Sequence, residues 1–204
     1  IYDSELGEII LRKNIRSKRY SIRIREGKVI ATIPRYGTEQ NILAFINEQR
    51  DKLVVMTQKS PKRSLLDEDT KLQTRTFQLH IFRTSRTNFY TTLKDGILHI
   101  ACPEGTDFFN EQVQHKLRFI LQESLRKEAI RFIPARLKML AEPYHFRYDK
   151  VTIRNSKTRW GSCTSKKNIS ISLSLMLLPS HLVDYVLLHE LCHTIEMNHG
   201  ERFW

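Results

Sequence analysis

Apolar and polar positions alternate from Tyr20 to Pro34, with Tyr20, Ile22 and Ile24 on one side and Glu26-Gly27 as a turn before KVIATIP. A period of two is that of a half-buried strand, so this segment predicts a β-hairpin with a basic outer face. The period then lengthens. Gly37-Thr38 offers a helix start, and Ile42, Phe45, Ile46 and Leu53 recur at helical spacing through about Met56, predicting a helix that covers one face of the sheet. The polar stretch KSPKRSLLDEDT, residues 59–70, reads as a connector. RTFQLHIFRT and NFYTTLKDGILHIACP read as further strands, with Asp95-Gly96 at a tight turn.

From about Asp107 to Ala141, the positions Phe108, Val113, Leu117, Ile120, Leu121, Leu125, Ile130 and Leu137 predict a long helix, interrupted or kinked at Pro134. Beyond it VTIRNS, TRWGSCTS and NISISLSL read as short strands. Ser180 is then the expected N-cap of a helix running through His193. The pattern as a whole predicts an α+β fold. Residues 1–105 form a β-rich region with one helix, and residues 106–204 a helical region with a short sheet, as two parts or one compact domain. No sequence repeat is evident.

Composition changes this picture little. Hydrophobic residues make up 40% and charged residues 27%, the balance of a folded globular chain rather than a disordered one. No run approaches the roughly 18 apolar residues of a membrane span, and IYDSELGEII lacks a signal-peptide pattern, so the chain reads as soluble and without membrane partners. Cys102, Cys163 and Cys192 are odd in number and form no CxxC pair, which favours a reducing, cytoplasmic setting over a disulfide framework. Charge matters more. Lys and Arg exceed Asp and Glu by 34 to 22, and eight of the positive charges fall between Arg12 and Lys28 against Glu26 alone, so a polyanionic partner is a candidate.

The chemistry is concentrated at HELCH, residues 189–193. In an H-E-x-x-H helix the two His, four apart, lie on one face and can share a metal ion, while Glu190 sits about 100° round the helix, within reach of a water beside that ion. His199 is the candidate third ligand. On an unbroken helix it would lie about 600° beyond His193 and point away, so the chain has to turn first. Glu196-Met197-Asn198 is the expected place, with Asn198 tolerant of the left-handed conformation that ends helices. Glu196, three residues after His193 on nearly the same face, is the alternative third ligand. Cys192 projects from a different face and reads as a small buried residue.

Three neutral imidazoles suit zinc at about 2.0–2.1 Å and leave a fourth tetrahedral position for water, the arrangement of a catalytic rather than a structural site. Zinc at His189, His193 and His199, with Glu190 as the general base that takes a proton from water and later passes it to the leaving amine, predicts hydrolysis of peptide bonds in a polypeptide substrate. His80, His99, His115, His145 and His181 each stand alone in their local patterns and are expected to be ordinary surface or core residues. Arg154, Arg159 and Tyr185 are candidates for stabilising a tetrahedral intermediate, but sequence alone does not place them at the metal.

The stretch from Arg154 to Trp204 resembles the YgjP-like metallopeptidases, relatives of the SprT and WLM zinc proteases. The resemblance rests on Arg159-Trp160-Gly161-Ser162-Cys163, HELCH, and Asn198-His199 followed by Phe203-Trp204, in that order. It implies a small zincin-like C-terminal part, zinc at His189, His193 and His199, and a catalytic Glu190. It also implies that the strand through Gly161 lies close to the active-site helix, where its edge could hold an extended peptide, and that a further helix follows Trp204. The histidine spacing also fits the metzincin pattern, but Glu196 occupies the place of its turn glycine, which favours the first family.

The rival reading is a nucleic-acid-binding protein, or a DNA-associated protease, that uses the basic N-terminal half, with Arg12, Arg16, Lys18, Arg19, Arg23 and Arg25 on its faces. The aromatic residues are not interleaved with these cations as a stacking platform requires. Substrate, oligomeric state and any bond preference leave no mark in the sequence.

Overall fold

The computed structural model describes residues 1–25, 27–59 and 64–204. The expected turn residue Glu26 and part of the 59–70 connector lie outside them. The chain forms two compact units, Ile1–Ser64 and Leu65–Trp204. The division falls within the polar connector, whereas the sequence reading placed it after residue 105. The reason is packing: Phe77, Leu79, Ile81, Leu98 and Ile100 join one buried cluster with Leu117, Ile133, Ile171 and Leu187, so the strands between residues 78 and 103 belong with the helices that follow.

The first unit has strands β1 (Tyr2–Asp3), β2 (Gly7–Asn14), β3 (Ser21–Arg25) and β4 (Lys28–Pro34) in the order β1-β2-β4-β3. The hairpin β3–β4 is antiparallel as its alternation predicts, while β2 lies parallel to β4 on the other side. Thr38 caps helix α1 (Glu39–Glu48), its Oγ1 accepting from Asn41 N–H at 3.2 Å. The predicted single helix breaks at Gln49, and α2 (Arg50–Lys59) begins there. Arg50 marks the break, its guanidinium reaching Asp3 at 2.8 Å and Glu5 at 2.7 Å. Leu6, Ile9, Val29, Ala31, Ile33, Ile42, Ile46 and Leu53 form this unit's core.

The second unit starts with β5 (Gln78–Thr84), β6 (Tyr90–Lys94) and β7 (Ile97–Pro103), ordered β5-β7-β6. The turn between β6 and β7 is where expected: Asp95 and Gly96 have φ of 51° and 74°, the paired left-handed geometry of a tight hairpin. Helix α3 (Glu111–Ala141) then runs without interruption through Pro134. Its Asn110 N-cap accepts from Gln112 and Val113. Strands β8 (Lys150–Arg154), β9 (Gly161–Cys163) and β10 (Asn168–Ser172) form a sheet in the order β8-β10-β9, and α4 (Ser180–Cys192) closes the series. The N-cap of α4 is Pro179 with no side-chain cap, not Ser180, which is already helical.

All three sheets repeat one topology. In each, among the described residues, the last strand in sequence lies between the two strands that precede it, parallel to the earlier and antiparallel to the later, and the first sheet adds β1 outside β2. No sequence repeat announces this, because each sheet buries a different set of side chains. Among the described residues no helix is long and apolar enough to cross a membrane.

Candidate metal centre

Helix α4 carries two faces with different tasks. Val183, Leu187, Glu190 and Leu191 are buried against the core, four positions that recur at helical spacing. His189 and His193 lie on the neighbouring, half-buried face. Their Nε2 atoms are 3.2 Å apart, and His199 brings its own Nε2 to 3.1 Å from that of His189. The three rings thus converge on one point, as the spacing of the first two and the required turn before the third predict.

The turn is earlier than expected. Helical residues end at Cys192, and Thr194 and Glu196 donate backbone N–H groups to Leu191 and Cys192, each at 2.9 Å. Thr194 Oγ1 also donates to Leu191 O at 2.7 Å. Asn198 does not adopt a left-handed conformation. Instead its N–H donates to Glu196 Oε1 at 3.2 Å, so the carboxylate considered as an alternative ligand closes the loop, and the converging group is His189, His193 and His199. Cys192 takes no part in it, and burial pushes its thiol pKa up.

The donor set fits a tetrahedral ion. Bonds of about 2.0–2.1 Å to zinc imply nitrogen–nitrogen separations of about 3.3 Å, close to the 3.2 Å between His189 and His193 and the 3.1 Å between His189 and His199, and all three ligand atoms lie within 4.8 Å of one another. His193 Nδ1 lies 3.1 Å from Glu196 O, which places the proton on Nδ1 and leaves the Nε2 lone pair for a metal. Burial, then the neighbouring His193 and His199, lowers the pKa of His189 and favours its neutral, ligating form. Phe203 packs against all three rings, with centroids 4.7–4.9 Å away. Trp204 stacks on His199 at 6.2 Å.

Glu190 is 5% exposed, and its Oε2 is buried without a hydrogen-bond partner among the described residues. A buried carboxylate oxygen with nothing to accept from is costly, and such unpaired groups are typical of catalytic and ion-binding positions. Burial pushes the carboxyl pKa up, and the nearby His193 offsets only part of the rise. Space for the carboxylate comes from Gly161 on β9, where any side chain would collide with it. Cys163, two residues along, has its thiol pKa raised by burial and then by the charge of Glu190.

A family model described as the YgjP-like metallopeptidase domain matches residues 18–204. The chain belongs to the YgjP-like family. No curated protein and no solved structure matches it.

The remaining candidates of this YgjP-like domain fall differently. Tyr185, one helical turn before His189, has its ring centroid 6.1 Å from that of His189. Arg154 and Arg159 line a groove of about 320 Å³ together with Gly161 and Ser162. The structure brings together His189, His193 and His199, the three histidines singled out in the sequence, with Glu190 buried on the adjoining face of α4. Sequence reasoning did not find the Arg136–Asp184 pair that holds α4 to α3 through contacts of 2.7 and 2.6 Å, because the partners stand 48 residues apart.

Proposed function

We propose that this YgjP-like domain is a zinc-dependent peptidase in which His189, His193 and His199 hold the ion and Glu190 is the general base. The observation that carries the reading is the convergence of three imidazole nitrogens beside a buried carboxylate whose Oε2 has no partner. When bound, zinc supplies Lewis acidity, polarising a carbonyl and lowering the pKa of water to about 7. Glu190 accepts the proton of the attacking water at Oε2 and returns it to the leaving amine. Its raised pKa suits both halves of that exchange, since a carboxyl that holds a proton more firmly is a better base near neutrality.

Strand β9 supports the choice of a polypeptide substrate. Among the described residues it pairs only with β10, and the adjoining bonds, Ser172 N–H to Trp160 O at 2.7 Å and Thr164 N–H to Asn168 O at 3.0 Å, assign the even-numbered residues to that pairing. The backbone groups of Gly161 and Cys163 therefore face outward, where an extended peptide can add as a further strand next to Glu190.

A quenched fluorescent peptide pool incubated with the zinc-loaded chain tests the reading. Cleavage that is lost with a chelator, restored by zinc and absent in Glu190→Gln is the expected result; an intact pool with the zinc-loaded wild type overturns it.

A second reading rests on the first unit. Arg12, Arg23 and Arg25 line a groove of about 520 Å³ with Lys13 and Asn14, and among the described residues these three arginines form no ion pair. Unpaired guanidinium groups in a groove suit a phosphate backbone, which makes a nucleic-acid-associated peptidase the alternative. Binding to a labelled duplex that weakens steeply with salt supports it, and no binding at low salt removes it.

A further inference from the structure

His80 and His99 are register partners on the parallel strands β5 and β7. Leu79, Ile81, Leu98 and Ile100 alternate with them and enter the core, so both histidines stand on the opposite, outward face of the sheet. Their Nδ1 atoms are 3.2 Å apart. The rings are held in place by their neighbours. His80 stacks on Phe82 with centroids 5.2 Å apart and planes 18° apart, while His99 meets His80 and Phe82 edge-on at 5.3 and 6.2 Å.

We propose that His80 and His99 form a second site, separate from the His189 cluster, for a borderline divalent cation such as zinc or copper. Imidazole nitrogens suit this class of ion. Their separation matches the 3.1–3.2 Å between ring nitrogens of the cluster on α4, and it is close to the edge of about 3.3 Å of a tetrahedron with bonds of about 2.0–2.1 Å. Strand register sets the spacing and stacking on Phe82 sets the ring plane, so the two donors are organised before an ion arrives.

The surroundings also favour a cation. The pair lines an open groove of about 760 Å³ with Glu68, Asp69 and Thr70. Glu68 is engaged by Arg83 at 2.8 Å, but the Asp69 carboxylate accepts no hydrogen bond among the described residues. Lys71 lines the same groove and opposes a cation, and only two nitrogens are offered, so binding here is weaker than at the three-histidine cluster. Water completes the coordination. The competing use of the same geometry is a direct hydrogen bond between the rings, in which one Nδ1 carries the proton and no ion is taken up.

Zinc titration of the full chain by calorimetry, with elemental analysis after dialysis at several free-zinc levels, separates the two. The wild type is expected to take up about two equivalents, the second more weakly, and the double variant His80→Asn, His99→Asn about one. A chain disabled at the first site by His193→Ala is expected to retain the weaker event. Because a surface substitution can still disturb a sheet, ring-nitrogen resonances of His80 and His99 in the wild type provide a second readout; both are expected to shift as the weaker equivalent binds. A wild type that saturates at a single equivalent, a double variant that keeps both, or ring signals unmoved by excess zinc overturns the proposal.

Discussion

The carboxylate of Glu190 lies against the backbone of Gly161, so closely that a Cβ there would come within 2.5 Å of Oε1 and 2.6 Å of Cγ. The glycine has no positive φ, so what it provides is room and not conformational freedom. Gly161→Ala should therefore displace Glu190 while leaving the three histidines in place. A shift of about 1 Å in a catalytic group lowers turnover by about 100-fold, and the strain of the added methyl costs about 1–3 kcal/mol of stability. Peptide-cleavage rates, zinc content and a thermal melt on the same preparation check this: activity should fall far more than metal content.

Glu190→Gln is nearly isosteric and removes the base without removing a metal ligand. Its expected effect is a loss of about 100- to 10,000-fold in kcat with zinc content unchanged. Because the native side chain is buried with an unpartnered oxygen, replacing a charge-bearing group by a neutral one should leave the melting temperature the same or raise it. A variant that is inactive and also markedly less stable would argue for a structural role.

These two predictions rest on residues that differ in how far the sequence exposed them. Spacing in HELCH fixes the angular positions of His189, Glu190 and His193 on a helix, because 3.6 residues per turn is a local rule. The same rule required a turn before His199, but not its form, since a carbonyl of Glu196 held by His193 and a carboxylate held by Asn198 are contacts of a folded loop. Period-two alternation exposed β3 to β7 for the same local reason. It did not expose β2, where Ile9, Ile10 and Leu11 are consecutive apolar residues, nor the unit boundary, which depends on which helix the strands from Gln78 to Pro103 pack against. The family resemblance implied only that the strand through Gly161 lies close to the active-site helix; the burial of Glu190 against Gly161 is a contact of the folded chain with no mark in the sequence.

Arg136 and Asp184 join α3 to α4 through two contacts of 2.7 and 2.6 Å. The hydrogen bonds from Arg136, and then its charge, hold the Asp184 carboxyl below its ordinary 3.8, with burial opposing. A depressed native pKa means that the stabilisation is complete above the unfolded value near 3.8 and is lost as pH falls through the lower native one. Both side chains are partly exposed, so Asp184→Asn should cost about 1 kcal/mol at neutral pH. Denaturant midpoints measured from pH 7 down to acid should converge for wild type and variant as Asp184 protonates.

Gln114 is buried inside α3 and spans two connections: its Oε1 accepts from Leu66 N–H at 3.0 Å, and its Nε2 donates to Leu66 O at 2.7 Å and Phe108 O at 2.8 Å. Gln114→Leu keeps the volume and leaves those backbone groups without partners, each worth about 1–3 kcal/mol. The loss should appear in urea unfolding and as faster amide exchange at Leu66.

In the proposed site His189, His193 and His199 hold a zinc ion beside a base, Glu190, that is not itself a ligand. Elemental analysis of the untagged chain, comparing wild type with His193→Ala and Glu190→Gln at a free-zinc level too low to fill a weaker site, tests it most directly. About one zinc per chain is expected in the wild type and in Glu190→Gln, and its loss in His193→Ala. A wild type that takes up no zinc, or a His193→Ala chain that retains it undiminished, would contradict the account.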